Sequence, residues 1–227
     1  MGYLIAIEGV DGSGKETQTR LLHERMKEIK KDTILVTFPN YSSDSSGPVK
    51  MYLNGSLGEN ARDVNAYIAS TLFAVDRYAS FRSEWRGLYG DGGLVIADRY
   101  VSANMIHQAS KIRDITERDK FLNWLYDLEY RFYGIPEPDM VFFLDVPLEF
   151  RNQLVKGRKN KITGDEKQDI HEKDINHITE SYTSSQHVID KYGWVRVNCI
   201  RDGRLRSIED INDEIYLKVT ELLKEKV

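Results

Sequence analysis

The chain has 227 residues, and its 32 Lys and Arg against 36 Asp and Glu give a formal net charge of −4. Apolar residues make up 41% and charged residues 30%, which is typical of a globular protein. The acidic balance argues against binding of duplex nucleic acid, and no apolar run is long enough to span a bilayer. The start of the chain lacks signal-peptide features, and the single cysteine, Cys199, excludes an internal disulfide. We therefore expect one cytoplasmic domain over residues 1–227, with no nucleic-acid or membrane partner.

Apolar periodicity predicts short strands that alternate with helices. In chain order, the predicted strands are residues 3–8, 33–38, 94–97, 140–144 and 194–197. The predicted helices are residues 16–29, 63–81, 117–132, 172–191 and 208–223. This alternation predicts an α/β fold of three layers, a five-stranded parallel sheet with helices on both faces. Ligands collect at the carboxyl ends of such strands, where this sequence has Glu8, Asp98 and Asp145.

A glycine-rich segment follows the first predicted strand and opens the first predicted helix. Residues 9–15 read GVDGSGK and fit the pattern G-x-x-x-x-G-K of a phosphate-binding loop. Glycines let successive backbone N–H groups converge on phosphate oxygens, and the helix N-terminus adds its dipole. Lys15 is expected to reach the β- and γ-phosphates of ATP. The expected nucleotide contacts are Gly9, Val10, Asp11, Gly12, Ser13, Gly14, Lys15, Glu16 and Thr17.

The residue after the loop lysine departs from the usual pattern. Its hydroxyl normally binds Mg²⁺, but here the residue is Glu16, and Thr17 follows. The magnesium ligand therefore stays open among four residues: Glu16, Thr17, Asp11 and Asp98.

Side chains for an acceptor nucleotide follow the third strand and lie on the long second helix. Asp98 can hold hydrated Mg²⁺, and the planar guanidinium of Arg99 suits a phosphate. Phe73 and Arg77 are four residues apart, so they share a helical face. There the ring of Phe73 could stack on a flat base, and the guanidinium of Arg77 could hydrogen-bond the edge of that base. The amides of Asn104 and Gln108 also share a face and can read a base. We expect His107 to make a polar contact rather than to act as a general base, because phosphoryl transfer needs little proton chemistry.

A basic segment bracketed by glycines, residues 157–164, reads GRKNKITG. We interpret it as part of a lid, roughly residues 157–170, that closes over the phosphates. Arg158 is the first choice for the cation that meets the transferring group, and Lys159 and Lys161 are alternatives.

Several motifs in order resemble the thymidylate kinase family, of the bacterial type. They are IEGVDGSGK at 7–15, FP at 38–39, TLFAVDR at 71–77, DRY at 98–100, SAN at 102–104, GIPEPD at 134–139 and DV at 145–146. The resemblance implies a P-loop kinase fold, transfer of phosphate from ATP to dTMP with Mg²⁺, and a homodimer.

The resemblance also implies roles for individual residues. Phe73 would stack on thymine, Arg77 would contact the base edge, and Arg99 would grip the dTMP phosphate. Asn104 and Gln108 would contact base and sugar, and Phe38, Pro39 and Tyr41 would belong to the nucleotide pocket. Asp11 would lie near the sugar 3′-hydroxyl and magnesium. The catalytic set is then Lys15, Arg99, Arg158 and Asp11, with Asp11 and Asp98 near the metal.

Two alternatives remain at this stage. The first is another nucleoside monophosphate or deoxynucleoside kinase. The second is a GTP-binding switch protein, which predicts an N-K-x-D motif and a hydroxyl after Lys15. The nearest string, residues 160–163, lacks the acid, and Glu16 replaces the hydroxyl, so this alternative ranks low.

Overall fold

A twisted parallel sheet forms the centre of the molecule. The computed structural model describes residues 1–155 and 174–225. The five sheet strands are β1 (Tyr3–Glu8), β2 (Thr33–Thr37), β3 (Leu94–Asp98), β4 (Met140–Asp145) and β5 (Val195–Asn198). They pair in the order β2-β3-β1-β4-β5, all parallel. The predicted five-stranded parallel sheet is therefore confirmed.

Helices connect these strands. They are α1 (Lys15–Ile29), α2 (Gly47–Leu53), α3 (Ala66–Ser80), α4 (Arg86–Gly90), α5 (Val101–His107), α6 (Ile115–Tyr126), α7 (Leu148–Val155), α8 (Ile175–Tyr192) and α9 (Ile208–Glu225). A small antiparallel hairpin, β6 (Ile200–Arg201) and β7 (Arg204–Leu205), precedes α9. In the part of the chain that the structure describes, no helix is both long and apolar enough to cross a membrane.

Alternating strand residues separate two apolar cores, one on each face of the sheet. Leu4 and Ala6 of β1 point into the core that also contains residues of α3, α5 and α6. Ile5 and Ile7 point into the opposite core, with residues of α1 and α9. Burial on both faces explains why the strands read as continuous apolar runs, and it confirms the three layers predicted from the sequence.

Capping residues decide where the predicted helices begin. The second predicted helix was placed from residue 63, but α3 begins at Ala66 because the side chain of Asn65 caps it by accepting from the backbone N–H of Ile68. Asp114 caps α6 in the same way, so α6 begins at Ile115, two residues before the predicted start. Both α3 and α6 continue into wider π-helical turns, Phe81–Trp85 and Asp127–Phe132. The short helices α2, α4, α5 and α7 and the hairpin were not among the predicted elements.

Cys199 lies buried just after β5. Burial raises the pKa of its thiol to about 12, so the thiol stays protonated near neutral pH. A buried and protonated thiol is a poor nucleophile, so Cys199 is not expected to be reactive.

Candidate active site

The glycine-rich loop lies between β1 and α1, as predicted. A Cβ on Gly9 would lie 2.5 Å from the Ser13 hydroxyl and 3.0 Å from the Leu144 carbonyl, so only glycine fits there. Gly14 adopts φ 84° immediately before α1, a left-handed conformation that glycine accepts without strain. The Ser13 hydroxyl is buried without a hydrogen-bond partner among the described residues. A closely packed loop with an unsatisfied hydroxyl fits a polar ligand such as a nucleotide phosphate.

Lys15 is buried at the first turn of α1, and its ammonium donates to the Val10 carbonyl at 2.8 Å. Burial, reinforced by the nearby Arg99 cation, lowers the pKa of Lys15 to about 7. A lysine that is buried and only partly compensated is prepared to bind an anion. In the same turn, Glu16 is exposed and Thr17 is half-buried.

Arg99 extends the site from the end of β3. Its backbone has φ 67°, which is uncommon for a non-glycine residue and often marks functional positions. One terminal nitrogen donates to the Asp11 carboxylate in the loop, and the other lies 2.9 Å from Nε2 of His107. Burial opposes the charged form, but the carboxylates of Asp11 and Glu8 raise the pKa of Arg99 above its ordinary value. The guanidinium therefore stays charged and is held from two sides.

Two acids lie at the same edge of the sheet. Glu8, fully buried at the end of β1, accepts from the Tyr100 backbone N–H at 2.8 Å and from the Ser102 hydroxyl at 2.7 Å. These bonds fix the turn that presents Arg99. Burial raises the pKa of Glu8, and the cation of Arg99 opposes that shift. Asp98 is also buried and lies beside β1, because its Cα pairs with that of Ile7.

Glu8 and Asp98 are suitable ligands for a Mg²⁺ ion that binds together with a nucleotide. Mg²⁺ usually takes one or two carboxylates, with phosphates and water as its other ligands. The Oε2 atom of Glu8 is buried without a hydrogen-bond partner among the described residues, and Asp98 lies on the adjacent strand. The other predicted ligand, Asp11, is paired with Arg99, and its role at the metal stays a prediction. No group of three or more His, Cys, Asp or Glu that could hold a metal by itself occurs in residues 1–155 and 174–225.

The remaining acid of the strand ends is held by protein groups. Asp145, after β4, accepts from the Tyr182 hydroxyl at 2.8 Å and from Arg196 at 2.7 Å. These bonds link α8 and β5 to the end of β4.

The predicted base-binding residues lie where α3 and α5 meet. Asn104 is buried, and its amide donates to the Ser70 carbonyl at 3.3 Å. Phe73, one turn further along α3, is half-buried and meets the Tyr52 ring edge-on at 6.0 Å. The Ser70 hydroxyl and the Gln108 carbonyl oxygen are buried without partners among the described residues. Unsatisfied polar atoms of this kind fit a ligand that offers hydrogen bonds.

The segment after β2 runs toward Arg99. The peptide bond between Phe38 and Pro39 is cis, and the Phe38 N–H donates to the Asp98 carbonyl at 3.0 Å. Phe38 is buried, with its ring 6.0 Å from that of Tyr100. Tyr41 is half-buried and lies close enough to influence the pKa of Arg99. The role of this segment in the nucleotide pocket stays a prediction.

Arg77 has an internal partner that the sequence pattern did not reveal. Its guanidinium forms two bonds of 2.6 Å with the carboxylate of Glu129, and both side chains are almost fully buried. Its remaining terminal nitrogen lies 3.4 Å from the Tyr100 carbonyl. Contact with the base edge stays a prediction for Arg77.

The proposed lid, residues 157–170, and its cation Arg158 lie outside the described residues. Arg151 of α7 is a site residue that the sequence motifs did not indicate: its Nε donates to the Asp11 carbonyl at 2.6 Å. A signal for it was available, since Arg151 lies only six residues before the basic segment. The polar contact expected of His107 is confirmed by its bond to Arg99.

The parallel sheet, the glycine-rich loop with its buried lysine, and the arginine facing it define the class of P-loop nucleotide kinases. Comparisons with known proteins give the family. The family model described as thymidylate kinase matches residues 7–196. A thymidylate kinase of Mycobacterium tuberculosis is 32% identical over 162 residues, 71% of this chain and 74% of that protein. A probable thymidylate kinase of Thermococcus onnurineus is 30% identical over 224 residues, 97% of this chain and 98% of that protein. The chain belongs to the thymidylate kinase family.

Solved structures agree on the fold. The Candida albicans thymidylate kinase has a TM-score of 0.68 at 21% identity and covers 98% of this chain and 92% of its own. The Ehrlichia chaffeensis enzyme has a TM-score of 0.65 at 18% identity and covers 96% of this chain and 98% of its own.

Proposed function

We propose that this protein transfers the γ-phosphoryl group of ATP to dTMP, giving dTDP and ADP. The observation that carries the proposal is the ion pair between Asp11 of the phosphate loop and Arg99 after β3. It joins the predicted triphosphate site around Lys15 to the predicted monophosphate site, so that two anionic nucleotides would meet at one edge of the sheet. Family membership identifies the nucleotides.

The reaction is an in-line attack of a dTMP phosphate oxygen on the γ-phosphorus of ATP. The attacking oxygen is already anionic, so no general base is needed. Lys15 neutralises charge that spreads over the transferring group, and Arg99 orients the acceptor phosphate. Bound Mg²⁺, held by Asp98 with Glu8 beside it, would supply further positive charge at the phosphates.

Arg158 of the lid is proposed to contribute a cation to the transferring group. Asp11 is proposed to position Arg99, since the two side chains are paired. Phe73 is proposed to stack on thymine, with Asn104 and Gln108 bonding the base and sugar. The half-buried ring of Phe73 and the buried amides at the junction of α3 and α5 support this placement.

A coupled ADP-release assay with dTMP, dUMP, dCMP, GMP and thymidine as acceptors tests the proposal. A site that hydrogen-bonds thymine should prefer dTMP over dCMP by about 100-fold or more in kcat/KM, because dCMP mismatches its buried donors and acceptors. Equal rates for dTMP and dCMP would favour a less specific nucleoside monophosphate kinase. As a control on the loop, Lys15→Ala should abolish ADP release, and unchanged turnover would remove the loop from the reaction.

We also propose that two copies associate through α3. Ile68 and Val75 are exposed and apolar, seven residues apart, so they lie on one helical face. Val75→Glu should then convert a dimer into a monomer in light scattering. Leu217→Glu, at another exposed apolar position, on α9, serves as the control. A wild-type monomer would contradict this proposal.

A cytoplasmic location is part of the same proposal. Its support is the chemistry of the substrates, since charged nucleotides do not cross bilayers unaided.

A further inference from the structure

Behind Arg99 lies a chain of buried hydrogen bonds that the reaction described above does not use. Nε2 of His107, at the end of α5, lies 2.9 Å from a terminal nitrogen of Arg99. Nδ1 of the same ring lies 3.3 Å from the hydroxyl of Ser181 on α8. The Ser181 hydroxyl donates to that of Ser110 at 3.3 Å, which in turn donates to the His107 carbonyl at 2.8 Å. The imidazole thus links the guanidinium to helix α8.

The direction of every bond in this chain follows from the number of protons available. The single hydroxyl proton of Ser110 goes to a carbonyl, and that of Ser181 goes to Ser110, so Ser181 accepts from His107. Nδ1 of His107 therefore carries the proton. Nε2 is then the acceptor, which matches Arg99, because a guanidinium can only donate.

The surroundings of the imidazole keep it in this form. His107, Ser110 and Ser181 are all buried. Burial, together with the Arg99 cation, lowers the pKa of His107 well below its ordinary value, so the ring is neutral at neutral pH. A neutral ring with one fixed tautomer offers Arg99 a single acceptor at a fixed position.

We propose that His107 is a positioning residue for the kinase reaction: its Nε2 atom and the Asp11 carboxylate together hold the guanidinium of Arg99 in the orientation that receives the acceptor phosphate. Asp11 takes one terminal nitrogen and His107 takes the other. The Ser181 and Ser110 hydroxyls act one step further back by fixing the tautomer of the ring. The inference rests on the proposed function of Arg99 as the contact to the acceptor phosphate.

Replacement of His107 by Gln or by Asn separates the contributions of the two ring nitrogens. The side-chain amide of Gln can reach the place of Nε2 and present an oxygen to Arg99, whereas the shorter amide of Asn reaches only the place of Nδ1 beside Ser181. His107→Asn should lower kcat/KM for dTMP about tenfold or more, through a higher KM for dTMP, and leave the KM for ATP within about twofold. His107→Gln should keep kcat/KM within about threefold of the wild type.

Thermal unfolding separates positioning from a merely structural role. Each variant loses one of the two ring hydrogen bonds, so similar melting temperatures are expected while the activities differ. His187→Asn is the matched control, because His187 lies on the same helix as Ser181 but pairs at 2.9 Å with Asp119 of α6. It should leave both KM values unchanged.

The decisive measurement combines His107→Asn with Arg99→Ala. If His107 acts through Arg99, the Asn substitution should change kcat/KM for dTMP less than twofold when Arg99 is absent. Equal losses in the Asn and Gln variants, equal rises in the KM for dTMP and for ATP, or additive losses in the double variant would overturn the proposal. A wild-type enzyme that does not phosphorylate dTMP would instead overturn the proposed function, so the two failures are distinguishable.

Discussion

Two arginine–carboxylate pairs of this protein differ in how much of the guanidinium they leave to a ligand. Arg77 is bound by both oxygens of Glu129, and the two side chains are 2% and 0% exposed. Arg99 shares only one terminal nitrogen with Asp11, and these side chains are 18% and 19% exposed. The first pair lies in the helical layer, and the second at the edge of the sheet that carries the phosphate loop.

The difference supports Arg99, rather than Arg77, as the proposed ligand of an anion. A buried bidentate pair satisfies both charges within the protein, and it contributes mainly by avoiding an unpaired buried charge. A guanidinium held at its separate ends, and still open to solvent, can exchange part of its bonding for a phosphate. If the two pairs are distinct in this way, substitutions in the Arg99 pair should act on catalysis, and substitutions in the Arg77 pair should act on stability.

Removal of Arg99, the arginine of the partly exposed pair, should have the largest effect on activity. Arg99→Ala is expected to lower kcat/KM for dTMP by about 10³–10⁴-fold, because the acceptor phosphate loses its anchor. The free energy of unfolding should fall by less than it does on loss of Glu129, since the Arg99 pair is the more solvated of the two. Steady-state kinetics and urea denaturation measure the two quantities. Near wild-type turnover would show that Arg99 does not hold the acceptor.

Removal of Glu129, the carboxylate of the buried pair, should lower stability rather than activity. Glu129→Ala leaves Arg77 as an unpaired buried cation, and we expect it to reduce the free energy of unfolding by about 3–4 kcal/mol. Urea denaturation measures this loss.

The control for that variant removes both charges. The double substitution Arg77→Met with Glu129→Leu should recover most of the lost stability. If the single Glu129→Ala variant were as stable as the wild type, the pair would not be the closed structural unit inferred from its geometry.

A milder substitution keeps the shape of the Arg99–Asp11 pair and removes only the negative charge of Asp11. Asp11→Asn should lower kcat/KM for dTMP about tenfold, because Arg99 loses one of its two holding groups. Stability should change by less than about 1 kcal/mol. Enzyme assays and denaturation of the same preparation give both values. A large loss of stability with unchanged kinetics would place Asp11 with Glu129 as a structural acid.

The smallest effect concerns the proton on Lys15. Its pKa of about 7 in the free protein means that most molecules carry a neutral amine at pH 8. Bound phosphates favour the ammonium, so ATP binding at pH 8 should take up as much as about one proton, and ATP affinity should fall as pH rises above about 7.

Calorimetric titrations in buffers of different ionisation enthalpy measure this uptake. Uptake should disappear at pH 6, where Lys15 is already charged. Lys15→Arg is the control, since arginine does not titrate in this range. Uptake that persists in the Arg variant would assign the proton to another group.

The phosphate loop could be predicted from sequence because all of its parts are contiguous. Gly9 and Lys15 lie in one segment between a strand and a helix, and the structure places them as predicted. Arg99 was predictable for a related reason, since a polar residue directly after a buried strand lies at the edge where ligands bind. Arg77 shows the limit of this approach. Its spacing from Phe73 suggested a base contact, but the spacing carried no information about Glu129.

The sequence by itself determined the alternation of strands and helices, the two-faced burial of the strands and the phosphate loop, since these depend on local periodicity and local turn chemistry. Tertiary structure alone decided the strand order and the partners of the charged groups. Asp11 and Arg99 are 88 residues apart, His107 and Ser181 are 74 apart, and Arg77 and Glu129 are 52 apart. The physical reason is that such pairs form only after the sheet and its helices have packed, when burial leaves each charge with the partners that the fold brings within reach.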